Sequence, residues 1–214
     1  ALQKLMSSGD SAWCFTRAHG EASILENRSR GLSRLARALS FSGISTREID
    51  LASEVPAACR LVVAADPQTG LSPAEEENLE RALRRGTGFV LAVQGNRQLH
   101  DSWGRFSDAC GIRITPNTVE DSSAPANPPS TDEFFVQWPE RNLRLAVFGP
   151  RALEISGDAQ ALLRASRHAG LRKNGSVSAV SSPPVLAASS GPSCPGRILV
   201  LGFLDAFLND RLSP

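Results

Sequence analysis

The chain has 214 residues, 41% of them hydrophobic, and a formal net charge of +1. That is enough apolar material for a real core and argues against disorder. The near-neutral balance gives no reason to expect nucleic acid or a membrane surface as partner, and no apolar run reaches the roughly 18–20 residues that span a bilayer.

Ala12-Trp13-Cys14-Phe15-Thr16 is the first strand candidate. It runs into Arg17-Ala18-His19-Gly20-Glu21, a polar turn. The leucine spacing of Leu32, Leu35, Ala36 and Leu39 predicts a helix from Arg28 to Ser42, ended by Gly43. Ile44 to Leu51 reads as a more polar strand near an edge. Leu61-Val62-Val63-Ala64-Ala65 is a continuous apolar run, the mark of a strand buried on both faces. Ser72, Pro73 and Glu75 form a capping box with a proline start, acidic residues follow, and Arg81, Arg84 and Arg85 crowd the far end. Gly86 supplies the exit, and Phe89 to Val93 is the next strand. A unit this compact closes right-handed with its two strands parallel.

Gln98 to Cys110 is a further helix candidate, with Leu99, Trp103, Phe106 and Cys110 on one face, and Ile112 to Thr115 a short strand. Residues 116–142 are rich in Pro, Ser, Asn and Asp and read as an exposed excursion; Phe134, Phe135, Val136 and Trp138 either pack it back on the body or form an exposed apolar contact patch, packing being the favoured reading. The extended candidates that follow are Leu143 to Phe148, Leu153 to Ile155, Leu162 to Ala165, Val177 to Val180 and Val185 to Ala188. Gly196 to Gly202 returns as a buried strand, and Asp205 to Leu212 opens a final helix. The whole reads as one α/β domain over 1–214. Residues 1–115 and 196–214 make a mostly parallel core, and 116–195 an inserted, irregular and partly antiparallel extension.

Ligands of open α/β sheets bind beyond the carboxyl ends of the strands. The polar residues collected there are His19, Glu21, Asp66, Gln94, Asn96, Asp205 and Asn209, with Gly20 shaping the first turn. All of these except Asn96 make the candidate ligand-binding set. His19 and Glu21 have the character of a base and its partner. Turn formation, capping and loop bracing account for the same residues without a ligand. No phosphate-binding loop, dinucleotide fingerprint or nucleophile elbow is present. His19, His100 and His168 show no metal-ligand spacing, so no metal and no cofactor are expected. Cys14, Cys59, Cys110 and Cys194 form no C-x-x-C pair; Cys14 and Cys59 sit within or beside apolar runs and read as small buried hydrophobes, and both the oxidation state and the compartment stay open.

The order of several pieces is similar to a known family. Ala18-His19-Gly20-Glu21 follows the first strand; Val55-Pro56 and Asp66-Pro67 bracket the next. Leu71-Ser72-Pro73-Ala74-Glu75-Glu76 and Arg85-Gly86 come after, and Gly202-Phe203-Leu204-Asp205-Ala206-Phe207-Leu208-Asn209 stands near the end. This resembles the auxiliary, substrate-binding-like subunits of gliding-motility-type ABC transporters, and the related GIFT domain of an intraflagellar-transport subunit. The resemblance implies a three-layer flavodoxin-like or class I glutamine-amidotransferase-like fold that has lost catalysis. It implies a periplasmic or otherwise extracytoplasmic domain, held by membrane helices of the parent protein beside an ABC permease and ATPase. The start at Ala1, without a methionine, fits an excised piece of such a parent. Ala18 replaces the family's first turn glycine, Thr87-Gly88 a double glycine, and Phe203-Leu204 an Asp-Ser pair. A hydrolase or amidotransferase-like enzyme and a structural scaffold are the alternative readings.

Overall fold

The computed structural model describes residues 11–95, 99–121, 133–138, 143–173 and 175–210. The first parallel strands are β1 (Ala12–Arg17), β2 (Ser45–Asp50), β3 (Cys59–Ala65) and β4 (Gly88–Ala92). Three helices accompany them: α1 (Ser33–Phe41), α2 (Pro73–Arg84) and α3 (Asp101–Asp108). Then come β5 (Ile112–Asp121), β6 (Glu133–Trp138), β7 (Leu143–Phe148), β8 (Arg151–Ile155), β9 (Gln160–Arg164), β10 (Ala169–Lys173), β11 (Ser176–Ala179), β12 (Val185–Ser189) and β13 (Ile198–Leu201).

One sheet of 11 strands runs β11-β10-β5-β8-β12-β13-β4-β3-β1-β2, with β9 attached to β12. From β13 to β2 every pairing is parallel. On the other side of β13 every pairing is antiparallel. Strands β6 and β7 form a separate antiparallel hairpin. The fold is therefore mixed α/β, and the antiparallel part is a continuation of the main sheet.

Alternation along the parallel strands divides the core in two. Cys14, Val62, Ala64, Phe89, Leu91 and Val200 face α2 and α3. Phe15, Val63, Ala65, Ala92 and Leu201 face the other way, toward α1. This is the period of two that a strand buried on both faces requires. Helix α2 forms as its sequence dictates: the capping box closes at both ends, and Leu79, Ala82 and Leu83 are buried against the sheet. Gly86, at φ 92, reverses the chain into β4.

Several expectations need correction. The first helix begins at Ser33, not Arg28, and the third at Asp101, capped by the His100 ring. The excursion expected from Pro116 starts as strand, because β5 continues to Asp121. Strand β10 was not anticipated; its sequence, AGLRK, is short and half polar. In place of a helix from Asp205 there is one 3-10 turn, Asp205–Phe207, and residues beyond 210 lie outside the described set. The side chains of Phe134, Phe135, Val136 and Trp138 also lie outside it. The cysteines are not free hydrophobes: Cys14 is bonded to Cys59, and Cys110 to Cys194. The first bond joins neighbouring strands β1 and β3 inside the core. The second ties the exit of α3 to the loop before β13.

Candidate functional site

The chain leaves β1 for α1 and β2 on one side, then crosses to β3 on the other. The carboxyl ends of β1 and β3 therefore flank a topological switch point, where open α/β sheets form their crevice. His19 follows β1 and Asp66 follows β3.

The turn after β1 is held by the β3–α2 loop. The backbone N–H groups of Gln68 and Thr69 both donate to the His19 carbonyl, at 2.6 and 3.1 Å. Gly20 has φ 79, and a Cβ there would lie 2.8 Å from Gln68 Cγ. Ala18 sits at φ 85 without being glycine. A side chain in the left-handed region costs about 1–2 kcal/mol, part of which glycine returns as chain entropy. Ala18→Gly is therefore expected to stabilise the fold by about 0.5–1 kcal/mol, raising Tm by roughly 2 °C in a thermal melt. A lowered Tm would show that the turn is unstrained.

His19 is 5% exposed. Its Nδ1 lies 3.4 Å from Glu21 Oε1, and its Nε2 3.2 Å from Glu75 Oε1. The His19 backbone N–H donates to Glu21 Oε2 at 2.7 Å. Glu75 is shared between two tasks. Its Oε2 accepts the Ser72 backbone N–H at 2.7 Å, closing the capping box, while Oε1 faces the imidazole. Trp103 covers the group: its ring meets His19 edge-on at 5.5 Å and stacks on Phe89 at 6.3 Å. The indole N–H donates to the Thr69 carbonyl at 2.8 Å.

Burial raises the Glu75 pKa, but the Ser72 backbone N–H and hydroxyl, with the His19 ring, outweigh it and hold the carboxyl below its ordinary 4.5. A folded-state value below the unfolded one means stability that is present above pH 4.5 and lost as pH falls through the lower value. Glu75→Gln should cost about 1 kcal/mol at pH 7, with the gap to the parent narrowing at pH 3 when urea midpoints are compared. A gap that does not change with pH would place the carboxylate's charge outside the balance.

A second cluster lies beside the first. Asp66, at φ 57, accepts the Gln94 backbone N–H on Oδ1 at 3.1 Å. Its Oδ2 is 3.9 Å from Arg30 Nη2, which also donates to Gln94 Oε1 at 3.4 Å. Arg151 is buried here, its Nη1 donating to the Thr115 carbonyl at 3.4 Å. Burial draws its guanidinium below the ordinary value, and the Asp66 charge works the other way.

The structure thus brings His19, Gly20 and Glu21 into one cluster and Asp66 and Gln94 into its neighbour. Asn96 lies outside the described residues. Asp205 is buried in the 3-10 turn. Asn209 is turned to bracing. Its Oδ1 accepts the Arg34 N–H at 2.8 Å, and its Nδ2 donates to the Glu26 and Arg28 carbonyls, each at 2.8 Å. Glu75, Trp103, Arg30 and Arg151 belong to the site but were not singled out for it by sequence. Only Glu75 carried a local signal, and that signal announced a cap. No cluster of metal-ligating residues occurs among the described residues.

No family model matches the chain, and no curated protein does. Solved structures do. The mmIFT52 N-terminal domain superposes with a TM-score of 0.68 at 16% identity, over 93% of this chain and 89% of that one. The fold is similar to that of the IFT52 domain. A ThuA-like protein from Bacteroides uniformis ATCC 8492 gives 0.58 at 13% identity, over 94% of this chain and 82% of that one. A β-galactosidase from Bacillus circulans sp. alkalophilus gives 0.57 at 14%, where 94% of this chain matches only 30% of the enzyme. At these identities the likeness is one of fold, and the resemblance to the intraflagellar-transport domain holds at that level.

Proposed function

We propose that this chain is a non-catalytic interaction domain, and that its parent protein works outside the cytoplasm as the accessory subunit of an ABC transporter. The observation that carries the first part is the state of His19. Both ring nitrogens face carboxylates beneath Trp103 and the residue is 5% exposed, so the ring is shut away from a substrate. The four cysteine sulfurs are all held in disulfides, so none is a thiolate nucleophile. The parallel strand order, 2-1-3-4-5 when β13 is counted as the fifth, supports a flavodoxin-like reading of the core. The transporter setting rests on the order of motifs from Ala18 to Asn209. The two disulfides favour an oxidising compartment.

A scaffold role in a transport assembly is the second reading, favoured by the likeness to the IFT52 domain. Two measurements separate these. A panel of chromogenic esters, amides, phosphates and glycosides should show no turnover that His19→Ala removes; turnover lost in that variant overturns the non-catalytic reading. Affinity purification of the full gene product from its own membranes should bring down an ABC permease and ATPase. Recovery of other assembly components without these transfers the domain to the scaffold reading.

A further inference from the structure

Among the described residues, no element beyond α1 covers the middle strands of the sheet face that carries α1. Trp13, Leu61, Val90 and Leu199 stand on this face from β1, β3, β4 and β13, which are neighbours, and each is only partly buried. The opposite face of the same strands is covered by α2 and α3. After β13, the described residues supply only the 3-10 turn, at the far, carboxyl end of the strands. Leu35 of α1 forms one wall of the resulting trough, and Leu162 and Pro192 line it as well. Its volume is about 1390 Å³, and it wraps over the amino ends of the strands.

Width and charge point to one kind of occupant. Four strands present three spacings of about 4.8 Å, or about 14 Å. A helix with its side chains is about 10–12 Å across, so one helix fills the span while a lone acyl chain leaves most of it wet. Arg60, Arg84 and Arg197 line the amino-terminal end, and among the described residues no Asp or Glu lines the trough. Arg84 is engaged by Glu80 at 2.9 Å, whereas Arg60 and Arg197 have no ion pair among the described residues. An apolar floor with an unbalanced basic end is the complement of an amphipathic helix with acidic flanks.

We propose that this trough docks an amphipathic helix of a partner protein, its apolar stripe on Trp13, Leu61, Val90 and Leu199 and its carboxylates against Arg60 and Arg197. The trough runs along the strands as far as Leu201, Leu204 and Phe207, but His19, Glu21 and Glu75 do not line it, and the proposal does not depend on the reading of that cluster. The test uses the full gene product and two synthetic helices of about 18 residues, identical in their leucine stripe, one flanked by glutamate and one by lysine. The glutamate helix should bind about tenfold more tightly by fluorescence anisotropy. Binding should shift the methyl NMR signals of Leu61, Val90 and Leu199. Arg60→Glu with Arg197→Glu should invert the preference at unchanged Tm, and His19→Ala should leave it intact. Equal binding of the two helices, or shifts confined to other surfaces, overturns the proposal. So does dodecanoate occupying the trough while neither helix binds, or NOEs in the peptide-free product showing that its own continuation already covers these methyls.

Discussion

Replacing Cys14 and Cys59 together by alanine is expected to lower the unfolding free energy by about 4 kcal/mol. The bond closes a loop with a sequence separation of 45 residues, and loop-closure entropy for that length gives this figure at 25 °C. The native side of the balance adds to it, because both cysteines are almost completely buried in the core under α2 and α3. Cys14 and Cys59 lie on paired strands, so the sheet ladder itself survives the loss and the variant should still fold. The measurement is urea unfolding of parent and variant, both with Cys110–Cys194 intact, followed by circular dichroism. A loss below about 1 kcal/mol would mean that the unfolded chain is already restrained between these points.

Trp103→Ala should have an effect of similar size, about 4 kcal/mol, for a different reason. Trp103 is 0% exposed and is the largest fully buried side chain among the described residues. It stacks on Phe89 of β4 and roofs His19, so its removal opens a cavity between α3, the sheet and the carboxylate pair. Trp103→Phe separates packing from hydrogen bonding. It retains a ring against Phe89 but leaves the Thr69 carbonyl without the indole donor, at a cost of about 1–2 kcal/mol. Hydrogen exchange on the loop from Asp66 to Leu71 reports the local consequence. Faster exchange there in the alanine variant, with the phenylalanine variant between it and the parent, is expected. Equal stability of the two variants would sink the assignment of the larger share to packing.

The residues that were legible in sequence are those whose structure is decided locally. The β3–α2–β4 unit forms where its apolar run, capping box and Gly86 place it. Helix α1 shows the contrary case. Its start is set by Asn209, which bonds to the Arg34 N–H and to Ser33 Oγ from the other end of the chain. No pattern within residues 28–42 encodes that partner. The cysteine pairs were illegible for the same reason: Cys14 meets Cys59 only once β1 and β3 lie side by side. At the site, His19 and Glu21 are adjacent in the turn, and their proximity could be read. The third member, Glu75, arrives because α2 starts beside the exit of β1, and the capping box had already accounted for it.

Strand β13 lies between β4 and β12, and so has a consequence for how the molecule is made. Phe89–Ala92 have their outer partners in Ile198–Leu201. A growing chain must therefore synthesise all of residues 93–197 before the edge of β4 is closed. Until then an apolar ribbon edge is offered to any neighbouring polypeptide, the hazard of late, non-local pairing. Cys194 emerges just ahead of that closing strand, and its partner Cys110 is already waiting at the end of α3. Oxidation can then act as a latch, retaining the last-made strand in its slot. A nascent product cut short before Cys194 would lack both the strand and the means to hold it.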